Sequence, residues 1–351
     1  MTAPSNTLAR LRIHGSPYEF GRMLGEFGAE AVHARLRPSP AWQALMRLRG
    51  SEPVATMRDL TQQRLPAVWQ ELQGLAEGLA LPLDEVFTWH CRGDLWARVP
   101  DGCTTVMLPG TQQRRICHNE DGYPALAGCC AIAECRVADA PRFASFVYPG
   151  SLPGHAFAVT DAGLAVTVNN LRFIDAAPGV PRMLLMRALL GAADAAAALR
   201  LLADAPRAGG FHCTLADRRD DALLSVEFGC HACSVRRIDS AAIHTNHTLH
   251  DGQRDLPQII TGSSGFRQIQ GERLLAQAHH TGDTLDPLAL LADTSHPRYP
   301  LWRAAADDGD EENTLATADI RVRRDYIAWT VFPDRTRRTA IHLRDGGFDD
   351  A

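Results

Sequence analysis

The 351-residue sequence has no lysine; all 36 residues of its lysine-plus-arginine total are arginine. That absence excludes a Schiff base to pyridoxal phosphate, an imine-forming aldolase, a P-loop lysine and a Ser-Lys dyad, all of which need a side-chain amine. Arginine cannot stand in, because its guanidinium stays protonated. Also missing is any stretch of about 18 apolar residues, so no transmembrane helix is expected. The start, Met1-Thr2-Ala3-Pro4-Ser5-Asn6-Thr7, has no basic segment leading into an apolar one, so no signal peptide is expected. Acidic residues number 41 and the net charge is -5, which argues against nucleic acid as a partner. Nine cysteines without regular spacing read as reduced thiols of a cytoplasmic protein rather than a disulfide framework.

What is present fits a globular chain with ample core, 45% hydrophobic and 22% charged. The first hundred residues read as helical. Phe20, Met23, Leu24, Phe27 and Ala31 recur at helical spacing within 16–36; Leu65, Val68, Leu72, Leu75 and Leu79 do so within 59–79. A third helix is expected over 83–98, with Asp84 and Glu85 near its positive end. The texture changes at Val99-Pro100-Asp101-Gly102. Strands are expected at 104–108, 115–118, 130–137, 143–148, 156–160 and 164–169, then helices at 181–190 and 194–203. More strands follow at 211–216, 223–228, 234–238 and 242–245, helices near 266–280 and 287–292, and strands at 314–320 and 326–332. Strands cluster in hairpin-like runs, which implies an α+β fold of stacked sheets covered by helices. The acidic run Asp307–Glu312 reads as an exposed loop.

Several segments could carry chemistry. In Asp101-Gly102-Cys103-Thr104-Thr105, a cysteine at the onset of a strand is either a nucleophile or a small buried residue. His244-Thr245-Asn246-His247-Thr248-Leu249-His250, with Cys230 and Cys233 nearby, is either a zinc site or a strand end with loop histidines. Cys117-His118-Asn119-Glu120-Asp121 and Val166-Thr167-Val168-Asn169-Asn170 are strands ending in polar residues, which serve as turn formers or as donors to an oxyanion. Cys129-Cys130 reads as core packing.

Taken in order, these pieces resemble the isopenicillin N acyltransferase family of the N-terminal-nucleophile (Ntn) hydrolases. The resemblance runs through Ser16-Pro17-Tyr18-Glu19-Phe20-Gly21 with Gly25, and Glu71-Leu72-Gln73-Gly74-Leu75-Ala76-Glu77-Gly78. It continues through Gly102-Cys103-Thr104-Thr105, Asn119-Glu120-Asp121, Gly163-Leu164-Ala165 leading to Asn169, and His244-Thr245-Asn246-His247.

The resemblance implies a four-layer αββα sandwich of antiparallel sheets. It also implies self-cleavage between Gly102 and Cys103, giving a helical segment 1–102 and a catalytic segment 103–351 that remain one interlocked α/β heterodimer. Cys103 would then supply both the thiol nucleophile and a free α-amino base, whose ordinary pKa is about 7.7–8.0. Asp121 would orient that amino group and Asn246 would donate to the oxyanion. Thr104, His118, Asn119, Asn169 and His244 are possible substrate-binding or oxyanion residues. The acyl group of a small amide or thioester would pass through a Cys103 thioester to water or an amine. No metal or resident cofactor is implied, with a coenzyme A thioester possible as co-substrate. The family's late functional arginine has no clear counterpart; Arg303 and Arg321 are the candidates. Two other readings stand beside this one: a non-catalytic ligand-binding protein on the same fold, and a zinc protein using Cys230, Cys233, His244 and His247.

Overall fold

The computed structural model describes residues 7–97, 102–281, 285–304 and 311–350. The chain begins with strand β1 (Ala9–Gly15) and helix α1 (Pro17–Ala31), which runs into a π-helical turn at Val32–Leu36. There follow α2 (Pro40–Met46), α3 (Glu52–Arg64), α4 (Pro66–Gly78), α5 (Leu83–His90) and α6 (Arg92–Leu95). Six strands come next: β2 (Gly102–Leu108), β3 (Arg114–Gly122), β4 (Ala131–Val137), β5 (Phe143–Val147), β6 (Phe157–Thr160) and β7 (Leu164–Asn170). After α7 (Arg182–Leu189) and α8 (Ala195–Asp204) come β8 (Phe211–Asp217), β9 (Leu223–Phe228), β10 (Cys233–Arg237) and β11 (Ala242–His244). The rest is α9 (Gly262–Thr281), α10 (Pro287–Leu291), β12 (Asn313–Val322), β13 (Ile327–Phe332), β14 (Ile341–Arg344) and β15 (Gly347–Phe348).

The strands form two sheets, ordered β1-β4-β5-β6-β7-β8-β9-β10 and β11-β2-β3-β12-β13-β14-β15. Three apolar cores bind four layers. The first joins Phe20, Leu24, Leu72, Leu75 and Leu184 of the helices to Cys135, Val166 and Leu215 of the eight-stranded sheet. The second lies between the sheets, where Phe146, Phe157 and Val159 meet Ile116, Ile320 and Trp329. The third packs Val106, Cys117 and Ile243 under Leu290, Leu291 and Leu301. Helices, sheet, sheet, helices is the expected α+β sandwich. It departs from the expectation in one pairing: β1 runs parallel to β4.

Close backbone contact fixes how the first helices sit. Ser16 caps α1 with a full capping box, each of Ser16 and Glu19 accepting the other's backbone N–H. On α1, Gly21 and Gly25 face Gly74 and Gly78 on α4. A β-carbon at Gly21 or Gly74 would lie 1.9 Å from the opposing carbonyl oxygen, of Glu71 or Tyr18 respectively, so only glycine allows this approach. Beside the crossing, buried Glu71 accepts a bidentate pair from Arg187 of α7, at 2.6 and 2.7 Å.

The structure corrects several boundaries. The helix expected over 59–79 is two helices broken at Leu65, because Pro66 has no N–H and its ring excludes the preceding residue from helical conformation. The helix expected over 83–98 breaks at Cys91; Arg98 and 99–101 lie outside the described residues. Strand β1 and helix α2 fall inside the stretch read as three helices, and β14 and β15 were not anticipated. Of the acidic run, 307–310 are outside the described residues, Glu311 is exposed and Glu312 is fully buried, contrary to an exposed loop. Cys129 and Cys130 are both free thiols.

Candidate active site

Strands β2 and β3 pair antiparallel with Cys103 opposite Glu120 and Thr105 opposite His118. Strand side chains alternate between faces. Cys103, Thr105, His118 and Glu120 therefore share the face of Met107 and Ile116, which packs into the inter-sheet core. Thr104, Asn119 and Asp121 share the opposite face with Val106 and Cys117, under the helices.

Cys103 is held from both sides of its backbone. Its N–H donates to Asn246 Oδ1 (3.1 Å), and its carbonyl accepts from the Arg267 guanidinium (2.6 Å). Arg267, on α9 and 1% exposed, also donates to Thr104 Oγ1 (2.7 Å), Asn246 Oδ1 (2.6 Å) and Ser263 Oγ (3.0 Å). Its burial lowers the guanidinium pKa below the ordinary arginine value, an effect the nearby Asp121 opposes. Two donors converging on one Asn246 atom identify that atom as oxygen. Asn246 thus presents its carbonyl to Cys103 in the intact chain, and its amide nitrogen donates to the Asn170 carbonyl (3.2 Å).

The thiol points the other way and donates to Glu120 Oε2 at 3.8 Å. Tyr148 donates to Glu120 Oε1 (2.6 Å), and His118 Nε2 lies 3.0 Å from Oε2. Hydrogen-bond accounting settles the His118 tautomer. Thr105 Oγ1 lies 2.8 Å from Asn169 Oδ1, an acceptor, so the threonine proton is committed there. His118 Nδ1, 2.8 Å from the same hydroxyl, must then carry a hydrogen and donate. Burial pushes the His118 pKa down to about 3. Nε2 faces Glu120 Oε2, and the two atoms share one proton.

On the helix-facing side, Asp121 is paired in register with Gly102, and its Oδ1 accepts from Thr314 Oγ1 (2.6 Å). Glu312 sits against Gly102 and forms ion pairs with Arg172 and Arg303, all three buried. Desolvation raises the Glu312 pKa, and the two arginines oppose that rise. Arg303 is therefore linked to Gly102 through Glu312, whereas Arg321 is half-exposed and pairs with Asp319.

The other expected residues are not at the thiol. Asn119 donates to the Leu291 and Leu301 carbonyls (2.9 and 3.1 Å) and accepts from Thr317. Asn169 accepts from Thr105 and His212 and donates to the His244 carbonyl; it is reached from the Cys103 thiol through Glu120, His118 and Thr105. His244 stacks on His212 with ring centroids 3.5 Å apart, and its ring nitrogens face Glu227 and the Thr245 carbonyl. Cys230, Cys233, His244 and His247 are not brought together as a ligand set. Among the described residues, the one cluster of three donors within reach of a single ion is Cys103, His118 and Glu120.

Sequence reasoning passed over Glu120, Arg267, Tyr148 and Glu312. For Glu120 a signal existed: strand alternation separates His118 and Glu120 from Asn119 and Asp121. Tyr148 also borders a cleft, between Leu36, Trp89 and Arg92 of the first hundred residues and Tyr123 and Leu126 of the remainder. Among the described residues, no helix is long and apolar enough to cross a membrane.

A comparison with curated proteins returned no match. A family model described as acyl-coenzyme A:6-aminopenicillanic acid acyl-transferase matches residues 109–337, well over half of the chain, starting just after β2. The chain thus belongs to this family within the Ntn-hydrolase superfamily, and with it to a class of enzymes that transfer or hydrolyse acyl groups.

Proposed function

We propose that the chain is the precursor of a self-processing cysteine amidohydrolase or acyltransferase, cut between Gly102 and Cys103. The observation that carries this reading is the clamp on Cys103. Asn246 holds its nitrogen, Arg267 holds its carbonyl, and its thiol is left facing an acidic side chain. Side chains from distant segments fix a peptide bond beside a sulfur nucleophile, which is the preorganisation that covalent catalysis requires.

In the processed enzyme, the Cys103 nitrogen becomes an amine beside Asn246 Oδ1 and next to Asp121, which orients it. The amine takes the thiol proton, the sulfur attacks the substrate carbonyl, and an acyl-thioester forms as the leaving amine or thiol departs with that proton. Asn246 Nδ2 carries two hydrogens; one serves Asn170, and the other is assigned to the oxyanion. Water or an acceptor amine then releases the acyl group. The aromatic cleft at Tyr148 suits an apolar acyl chain, and a coenzyme A thioester fits the same chemistry as donor.

Intact mass of the purified protein beside a Cys103→Ala variant tests this. Wild type should give fragments 1–102 and 103–351, and the variant a single chain. A wild-type protein that stays whole while hydrolysing amides would refute the mechanism.

A further inference from the structure

The α-amino base does not exist until the chain has been cut. In the intact chain the Cys103 nitrogen is an amide that donates to Asn246, and with no lysine the sequence offers no side-chain amine either. Some other group has to take the thiol proton the first time. We infer that Glu120, backed by His118, is the base that starts self-cleavage, and that the amino group takes over only afterwards. This rests on the self-processing reading above.

Three observations carry it. First, the thiol already donates to Glu120 Oε2. Second, the other charged candidates do not serve: Asp121 lies on the opposite face of the sheet, and Arg267 is a donor only. Third, Glu120 shares a proton with a second buried group. His118 Nε2 is 3.0 Å from Oε2, and the ring is fixed in place because Nδ1 donates to Thr105, whose own proton is committed to Asn169. Tyr148 pins the second carboxyl oxygen. Each link sits on a paired strand or at its end, so the relay is rigid.

The S–H proton moves to Glu120 Oε2, so that the Glu120–His118 pair, which held one proton between its facing atoms, holds two. The sulfur bonds to the Gly102 carbonyl carbon, whose oxygen takes the negative charge and offsets the positive charge gained by the pair. The C–N bond to Cys103 then breaks, and the relay returns one proton to the departing nitrogen. The product is a Gly102 thioester on Cys103 with a free amine, and water opens it to a Gly102 carboxylate and the regenerated thiol. Glu120 is a catalytic residue in this step, and His118 a positioning residue that holds its carboxyl against the thiol.

The test follows chain cleavage by intact mass after cell-free synthesis, in wild type, Glu120→Gln and His118→Gln. The glutamine at 120 keeps an acceptor for Tyr148 but cannot accept the thiol proton. Cleavage of Glu120→Gln should slow by about 100-fold or more. Its rate should also climb about tenfold per pH unit, because only thiolate made by solvent remains; the wild-type profile should be flatter. The ionisable groups packed around the relay are Tyr148 and Cys130 from the facing sheet, His212 beyond Asn169, and Arg267 behind Cys103. All are retained in both variants, so a change in profile reports on position 120 or 118. His118→Gln should show a smaller loss with the same steepened profile. Glu120→Gln cleaving at the wild-type rate would overturn the inference. So would a slower rate with an unchanged profile and a lowered melting temperature, which marks a structural role. Wild type that never cleaves would instead overturn the underlying reading.

Discussion

Arg267 offers the most demanding check on the site as a structure. Its guanidinium donates to the Cys103 carbonyl, Thr104 Oγ1, Asn246 Oδ1 and Ser263 Oγ from a position 1% exposed. Arg267→Met preserves much of the length and removes every donor. The hydroxyls of Thr104 and Ser263 can turn elsewhere, and Asn246 Oδ1 keeps the Cys103 N–H. The Cys103 carbonyl loses a charged donor, a loss worth about 1–3 kcal/mol. Asp121 and Glu312 also lose a nearby cation, and removing one member of a buried charge group typically costs about 3–5 kcal/mol. The same guanidinium supplies both interactions, so the two costs overlap rather than add, and the expectation is the larger of them, about 3–5 kcal/mol. Unfolding entropy is about 2.1 cal/mol/K per residue, so over 351 residues this predicts a fall in melting temperature of about 4–7 °C. The measurement belongs in a Cys103→Ala background, where the chain stays whole. Arg267→Lys should recover only part of the loss, since one ammonium cannot span the same four oxygens. Arg273→Met, exposed on the same helix, should move the transition by less than about 1 °C. An Arg267→Met shift as small as that control would show that the clamp on Cys103 contributes little.

Other consequences are open to measurement. Arg187→Met should cost about 3–5 kcal/mol by stranding the buried Glu71 carboxylate, and adding Glu71→Leu should restore most of it; a double variant as weak as the single would contradict the pairing argument. Gly74→Ala should destabilise by about 3 kcal/mol or more, since its β-carbon meets the Tyr18 carbonyl, whereas Gly50→Ala, at φ +75° in open space, should lose only about 1–2 kcal/mol. Burial raises the Asp94 pKa to about 7 against 3.8 for an ordinary aspartate, and Arg182 only partly offsets it. The folded state then binds a proton that the unfolded state has lost, so this group's contribution to stability falls as pH rises from about 4 to about 7. Asp94→Asn should gain on wild type across that window in urea titrations, and a constant difference would show that the carboxyl is not held protonated.

The legible parts of the sequence were those whose cause is local. Alternation and turn residues located β2 and β4 to β9 to within a residue or two, while β3 runs four residues past its expected end, through Asn119 to Gly122; helical spacing of apolar residues located α1. The segments that misled were those where a short pattern competes with its surroundings. In β1, Leu11 and Ile13 alternate with Arg10, Arg12 and His14 over only seven residues, and the strand is defined by a partner 122 positions away. Pro66 was readable and was overridden by the helical spacing of the leucines around it. At the site, Cys103, Asp121 and Asn246 came through resemblance; Asn246 accepts from the Cys103 N–H and Asp121 stands opposite Gly102 in the strand register, while their roles belong to the proposal above. Arg267 did not come through, because its contact to Cys103 spans 164 positions and nothing beside it on α9 announces a buried cation. Glu312 was hidden by its acidic neighbours: a charge run is ordinarily solvated, and only the arrival of Arg172 and Arg303 makes burial of one member tolerable.

The parallel pairing of β1 with β4 bears on what a cut before Cys103 would do to the whole molecule. Residues 9–15 belong to the upstream piece, yet they complete the edge of a sheet whose other strands all lie downstream. The upstream helices also wall one side of that sheet's core. Releasing the piece would strip a strand and a hydrophobic layer at once, so departure of the first fragment is the same event as denaturation. A severed molecule should therefore survive extreme dilution unchanged, and behave thermodynamically as a single folded body with an interrupted covalent thread.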